Sequence, residues 1–236
     1  MSGFFFAAAA KAVTVEQPTD GQTGVWVKSG TTVISSAMTM TGLVTSSGWS
    51  TNIYSGGVLS DYVLQSAGMV VRSGGLAVSG VAYRALTVSR GGVVSSVILN
   101  HPGETTDVYN HAGVRAFDVT LIAGQLQQFA GAASSYVSGV IVSGGTLTVR
   151  TRPPTGGMGG AYDIVQYGGT VRVEYNGYAS GVAVQSGLLN VVSGRAVNVA
   201  LSGGSMHVYS GGSALVVTSH AGAVVTVDEG GYIEYA

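Results

Sequence analysis

The sequence predicts an all-β fold, a single-stack β-solenoid whose coils of roughly 18 residues turn at glycine corners. The first observation is a recurring five-residue motif, here called the glycine figure and typified by Val208-Tyr-Ser-Gly-Gly212. In it a β-branched residue is followed by two other residues and then by a glycine pair. The second is its spacing: the figures ending at Gly57, Gly75 and Gly92 follow one another at nearly equal intervals. The third is an apolar residue four positions before the second glycine in copy after copy. Units this short cannot bury an apolar face alone, but stacked neighbours can share one interior.

Each coil is expected to have two glycine corners separated by one long and one short arm. Glycine permits the positive φ that a tight corner requires, and β-branched arms between such corners are typical of strands. A second glycine, such as Gly68, stands between successive pairs. The complete copies of the figure end at Gly57, Gly75, Gly92, Gly145, Gly169, Gly212 and Gly231.

Composition narrows the class of protein. The 236 residues suffice for about ten such coils, and 46% hydrophobic against 9% charged residues favours a folded chain despite 38 glycines. The net charge of -1, without a basic stripe, argues against a nucleic-acid partner or an anionic membrane surface. No apolar run approaches the ~18 residues of a membrane span, so membrane insertion is not expected. The absence of cysteine excludes zinc or redox motifs built on that residue.

The repeat divides the chain into two parts. Residues 1–24 lack it and are interpreted as an N-terminal tail, cap or assembly segment, whereas residues 25–236 form the predicted solenoid. The final unit is as regular as those before it, although solenoid ends normally need a polar cap. One hypothesis is therefore end-to-end stacking into a filament. Its candidate assembly residues are Phe4, Phe5, Phe6, Tyr232, Ile233 and Tyr235.

A single insertion interrupts the repeat at about 150–160. Two consecutive prolines cannot donate to a β-ladder, and the glycines around Met158 favour an exposed loop, although a seam between two solenoid halves is the alternative. Binding residues concentrate on loops that project from a rigid scaffold. Arg150, Arg152 and Met158 are therefore the candidate contact residues of this loop.

No catalytic or metal-binding constellation is evident, and we expect no enzyme and no cofactor. Acid-catalysed sugar chemistry needs a pair of carboxylates, and the eleven acidic residues are scattered, so a carbohydrate-active β-helix enzyme is the less favoured alternative. The densest group of potential metal ligands is expected to be divided between different edges of the solenoid. Its members are His101, Glu104, Asp107, His111 and Asp118.

Two sets of residues near the corners are candidates for surface chemistry. Tyrosines stacked at one corner of successive coils would form a ladder that binds sugars, or would only shield the core; these are Tyr54, Tyr109, Tyr167, Tyr175 and Tyr209. Exposed serines in a repeated setting are candidate glycosylation sites, although serine also favours turns for its own sake. These serines are Ser55, Ser73, Ser143, Ser202 and Ser210.

The repeats resemble the short glycine-paired repeats of AIDA-type autotransporter adhesins. The resemblance rests on Ser-Gly-Gly, a β-rich arm, a second glycine corner and an arm ending in Val-x-Ser-Gly-Gly, at 53–75, 71–92, 141–145 and 191–212. It implies a right-handed parallel β-helix, a passenger at the bacterial cell surface or in the extracellular space, and heptoses on some repeat serines. The implied function is adhesion, self-association or biofilm matrix contact. The implied partners are the protein itself and a host or bacterial surface protein or glycan.

Overall fold

The computed structural model describes residues 26–28, 31–34, 39–45, 50–65, 68–89, 91–108, 114–130, 135–151 and 160–236. Within these ranges every regular element is a β-strand, so the described part holds no helix that could cross a membrane. Strands of successive coils pair in parallel, and the stack makes about nine turns with a period of roughly 18 residues. The predicted single-stack β-solenoid is therefore confirmed.

Each coil has three faces. In the coil that starts at β9 (Leu76–Ala82), residues 76–78 form the first face, the strand bends at Ser79, and residues 80–82 form the second face. The third face is β10 (Leu86–Val88). The coils differ in length: the step from Leu76 to its partner Val93 is among the shortest, and the step from Tyr136 to Gly160 is among the longest.

The strands fall into two groups by face. The first and second faces contain β3 (Thr39–Thr41), β4 (Val44–Thr45), β6 (Val58–Ser60), β7 (Val63–Leu64), β9, β13 (Tyr136–Val142), β15 (Gly160–Gln166), β17 (Tyr178–Val184), β19 (Arg195–Leu201), β21 (Ser213–Ser219) and β23 (Tyr232–Tyr235). The third face contains β2 (Thr31–Ile34), β5 (Ser50–Ile53), β8 (Met69–Val71), β10, β14 (Thr146–Thr151), β16 (Thr170–Glu174), β18 (Leu188–Val191), β20 (Ser205–Val208) and β22 (Val224–Val227). The long strands β11 (Val93–Val108) and β12 (Arg115–Ala130) run through all three faces. β1 (Trp26–Lys28) pairs antiparallel with β2 at the first coil.

The glycine figure identified in the sequence occupies two different corners. Gly212 and its equivalents join the third face to the first face of the next coil, between β20 and β21. Gly145 and Gly169 instead join the second face to the third, just before β14 and β16. The same sequence figure therefore marks two different corners of the coil. The two corners differ in conformation: the first glycine has positive φ in Gly74-Gly75, whereas the second has it in Gly144-Gly145.

The two glycines of a pair are required for different reasons. Gly74 has a φ of +72°, which residues with a Cβ adopt only at a cost. Gly75 has an ordinary φ, but a Cβ there would lie 2.7 Å from the carbonyl oxygen of Ile53 in the preceding coil. At the corner between the third and first faces, the first glycine thus serves the turn and the second serves the close stacking of coil on coil; in Gly144-Gly145 the order is reversed.

A third corner, which the glycine pattern does not predict, bends the long arm between the first and second faces. Its residue has positive φ in coil after coil, and Asp, Ser and Asn share the position with glycine because their short polar side chains tolerate this conformation. Val216, which is β-branched, stands in the last of these corners with a φ of 54°. The column consists of Gly42, Asp61, Ser79, Ser96, Asp118, Gly139, Asp163, Gly181, Asn198 and Val216.

The residue after this corner points into the core and is usually valine or isoleucine, as Val97 and Ile164 are. Three coils depart from this rule, with Leu43, Tyr62 and Gly80 at this position, and Tyr62 is only 1% exposed. Its ring occupies the space beside Gly80, the equivalent residue of the next coil, where any Cβ would overlap the ring. The large side chain of Tyr62 therefore fills the space that Gly80, which has no side chain, leaves in the next coil.

Tyr62→Phe is expected to stabilise the protein by about 1 kcal/mol, because the Tyr62 hydroxyl is buried without a hydrogen-bond partner in the described part of the chain. Burial also raises the pKa of Tyr62. Because the folded-state pKa lies above the unfolded-state value near 10, ionisation of this tyrosine favours the unfolded chain. Its contribution to the free energy of unfolding is therefore fully present below pH 10 and declines as the pH rises above that value. Urea unfolding at a series of pH values should therefore show a shallower alkaline decline for Tyr62→Phe than for the wild type. An identical decline in both proteins would contradict this assignment.

Candidate functional site

The five candidate glycosylation serines are all exposed, but they lie on two different edges of the solenoid. Ser55, Ser73 and Ser210 stand at the corner between the third and first faces. Ser143 and Ser202 stand at the corner between the second and third faces. Their modification stays a prediction.

The corner tyrosines do not form a ladder in the described part of the chain. All three of Tyr54, Tyr167 and Tyr175 are exposed. Tyr54 and Tyr175 lie several coils apart at the corner between the third and first faces, and Tyr167 lies at the corner between the second and third faces. Tyr54 also lies under the guanidinium of Arg72. Tyr209 stacks on His207, with ring centroids 3.8 Å apart. Tyr109 lies outside the described residues.

The described members of the group of potential metal ligands do not converge on one point. His101 is buried, and its Nδ1 lies 3.1 Å from the carbonyl oxygen of Glu104. The Glu104 carboxylate accepts a hydrogen bond from Arg84 Nη1 at 2.7 Å, and this contact is the main reason why its pKa is lowered. Asp118 stands at the bend between the first two faces. Among the described residues no three His, Cys, Asp or Glu side chains cluster as metal ligands would; His111 and the side chain of Asp107 fall outside them.

The candidate loop and assembly residues are only partly described. Arg150 belongs to β14, where its Nη2 donates to Gln127 Oε1 at 2.8 Å and its Nη1 lies 3.7 Å from Glu174 Oε1. Arg152, Met158 and Phe4–Phe6 lie outside the described residues. In β23, Tyr232 and Tyr235 are exposed and Ile233 is half-buried. The contact-loop and end-to-end assembly hypotheses stay predictions.

The structure instead assembles an aromatic group on the first face. Phe117, Tyr136, Tyr162 and Tyr178, here named the aromatic row, come from four successive coils. Their ring centroids are 5.7, 6.3 and 5.9 Å apart in that order, and the interplanar angles are 80°, 85° and 53°. All four side chains are half-exposed. The row therefore presents both ring faces and ring edges to solvent along the solenoid axis.

Small residues between the rings create the row. Residues that are in register on successive coils form a column on the face. In the column of Tyr136 and Tyr178, the residue between them is Gly160. Along the column of Phe117 and Tyr162, the residue between them is Ser138. A Cβ on Gly160 would lie 3.2 Å from Tyr178 Cδ1 and 3.3 Å from Tyr162 Cε2, so both rings lean over this glycine. In each coil of the row one column carries a ring while the other carries a small or ring-free side chain, and this order alternates from coil to coil. Successive rings of the row therefore lie in alternate columns.

Charged groups border the row without pairing with each other among the described residues. Asp118 and Asp163 directly follow Phe117 and Tyr162 at the bend, and both are exposed. Asp163 accepts a hydrogen bond from Ser138 Oγ at 3.2 Å. The guanidinium of Arg115 lies 5.8 Å from the Tyr136 ring centroid, a distance typical of a cation–π contact. Arg195 pairs in register with Tyr178 at the opposite end of the row, so the bordering charges sum to zero.

The Tyr162 phenol of the row is a neutral hydrogen-bonding group at physiological pH. Partial burial raises the pKa of Tyr162, and the neighbouring Tyr178 phenol adds to this rise. Because the unperturbed tyrosine value is already near 10, the Tyr162 hydroxyl keeps its proton. A phenol hydroxyl can donate and accept hydrogen bonds at the edge of an apolar ring.

The row is built from a two-coil unit that occurs twice. Phe117-Asp118-Val119 is followed one coil later by Tyr136-Val-Ser-Gly-Val140. Tyr162-Asp163-Ile164 is followed by Tyr178-Ala-Ser-Gly-Val182. In each unit the glycine stacks against the aspartate of the preceding coil: a Cβ on Gly139 would lie 2.8 Å from Asp118 Oδ1. The face thus repeats one chemical pattern along the axis.

Sequence reasoning missed this face because it looked for aromatic residues at the glycine corners. A detectable signal was present, since Tyr-x-Ser-Gly-Val occurs twice and each copy follows an aromatic–Asp pair. Placing the two copies two coils apart in one column, however, requires the lengths of the intervening turns.

The fold and this face define a β-solenoid with an aromatic lateral surface. No family model matches the chain, and no curated protein matches it. Among solved structures, the crystal structure of a TibC-catalysed, hyper-glycosylated fragment of TibA is similar, with a TM-score of 0.47 and 21% sequence identity. The similarity covers 88% of this chain and 92% of that one.

Proposed function

We propose that this chain is a non-enzymatic structural and adhesive protein of the bacterial surface or extracellular space, whose lateral face mediates adhesion or self-association. The observation that carries the proposal is the aromatic row, displayed on a rigid stack whose coils are joined by continuous parallel ladders. Half-exposed Tyr and Phe beside Arg are the side chains that contribute most to binding surfaces. The resemblance of the repeats to adhesin passengers supports the same function and the same location.

The acidic groups of the face support a binding role over a hydrolytic one. Asp118 and Asp163 are two coils apart, roughly 9.5 Å along the axis at the spacing of β-strands. Both are exposed at the outer bend of the coil. Glycoside hydrolysis needs two carboxyl groups that flank a bound glycosidic bond, and two side chains on the same outer bend do not form a cleft that would hold the bond between them.

A bead assay tests the proposed function. We expect fluorescent beads coated with the full chain to aggregate with each other or to attach to bacterial or epithelial cells. Beads coated with the same density of albumin should do neither. If the protein-coated beads neither clump nor attach, while circular dichroism shows that the coating protein is folded, the adhesive function is wrong.

A further inference from the structure

We infer that the aromatic row binds a neutral, linear chain of β-linked hexose sugars that lies along the solenoid axis. This inference rests on the proposed function, because it names the ligand of the same lateral face. A flat sugar ring has an apolar C–H surface and a rim of hydroxyl groups. The row offers the complement of both, since its ring faces are apolar and its phenol, carboxylate and guanidinium groups donate and accept hydrogen bonds.

The repetition of the site indicates a repeating ligand. The unit of an aromatic residue, an aspartate and a tyrosine on the next coil occurs twice in the same orientation along the axis. The three ring-to-ring steps are nearly equal, since they range only from 5.7 to 6.3 Å. A polymer of identical sugars repeats along its axis as the row does, whereas a folded protein surface has no such period.

The charges of the face favour a neutral ligand. Arg115 and Arg195 stand at the two ends of the row, and Asp118 and Asp163 border it between them. Two positive and two negative groups leave no net field to attract a polyanion or a polycation. The arrangement also disfavours a second copy docked antiparallel on the row, because Arg115 would then face Arg195 of the other copy.

The test is isothermal titration of the full chain with neutral β-1,4-linked hexamers of glucose, mannose and N-acetylglucosamine. We expect at least one hexamer to bind, and its dimer to bind about tenfold more weakly because it spans fewer rings. Raising the NaCl concentration to about 0.5 M should leave the affinity nearly unchanged, since a neutral ligand is not screened. No binding of any hexamer, or binding abolished by salt, would overturn the inference.

Paired variants separate the row from other tyrosines. Tyr136→Ala with Tyr178→Ala should weaken hexamer binding by about tenfold or more. The matched control, Tyr83→Ala with Tyr167→Ala, removes two exposed tyrosines outside the row and should bind like the wild type. Equal losses in both double variants would overturn the inference, provided that both unfold at the wild-type temperature.

The same proteins distinguish this inference from the proposed function. If the hexamer binds as expected but coated beads neither clump nor attach, the adhesive function fails and the sugar site stands. If the beads clump, the row variant abolishes clumping and no hexamer binds, the row is a protein contact. In that case the sugar inference is wrong and the adhesive function stands.

Discussion

Gly80→Val should destabilise the protein by about 3 kcal/mol, because the new side chain would overlap the buried ring of Tyr62. Tyr62→Val alone should cost a similar amount, about 3 kcal/mol, since it leaves a cavity in a fully buried position. The double variant places valine in both coils, which is the residue that Val140, Val182 and Val199 provide at the same position. We expect it to be more stable than either single variant.

The measurement is a double-mutant cycle by urea unfolding followed with far-ultraviolet circular dichroism. A coupling energy of about 2 kcal/mol or more is expected, because the two side chains share one space. The control pairs Gly80→Val with Tyr83→Val, which alters an exposed tyrosine and should not rescue stability. Strictly additive effects at Tyr62 and Gly80 would show that the ring does not occupy this space.

Gly212→Ala should cost about 3 kcal/mol, clearly more than Gly211→Ala at the neighbouring position. Gly211 has a φ of +80° with open space around its would-be Cβ, so alanine there meets only the backbone penalty of about 1–2 kcal/mol. At Gly212 the Cβ would overlap the carbonyl oxygen of Val191 in the preceding coil. Backbone atoms held in a ladder cannot move aside as the end of a flexible side chain can.

Asparagine at the two positions sharpens this comparison. Gly211→Asn should be milder than Gly211→Ala, because asparagine tolerates positive φ. Gly212→Asn should be as damaging as Gly212→Ala, since both add the same Cβ. The measurement is the shift in thermal unfolding midpoint of each of the four single variants relative to the wild type. Equal shifts at Gly211 and Gly212 would mean that both glycines serve the turn alone.

The fold class was accessible from the sequence because the period of the glycine figure reflects a physical constraint repeated in every coil. A corner such as Gly74-Gly75 needs one residue of positive φ and one without a side chain, and few other residues meet both needs. The bend at Asp118 or Asn198 could not be predicted from the sequence in the same way. Asp, Ser, Asn and Gly all tolerate that conformation, so the column has no single residue type to reveal it.

The sequence by itself determined that the chain is a parallel stack of short coils with a shared apolar interior, since local turn chemistry and the alternation of apolar residues specify both. Only the tertiary structure decided which side chains are neighbours on the outside. Phe117, Tyr136, Tyr162 and Tyr178 follow one another at unequal intervals along the sequence, yet they form one row. The physical reason is that lateral neighbours are set by the hydrogen-bond register between coils. Equivalent strands stay in register although the turns between them differ in length, so a uniform repeat period does not predict which residues are neighbours.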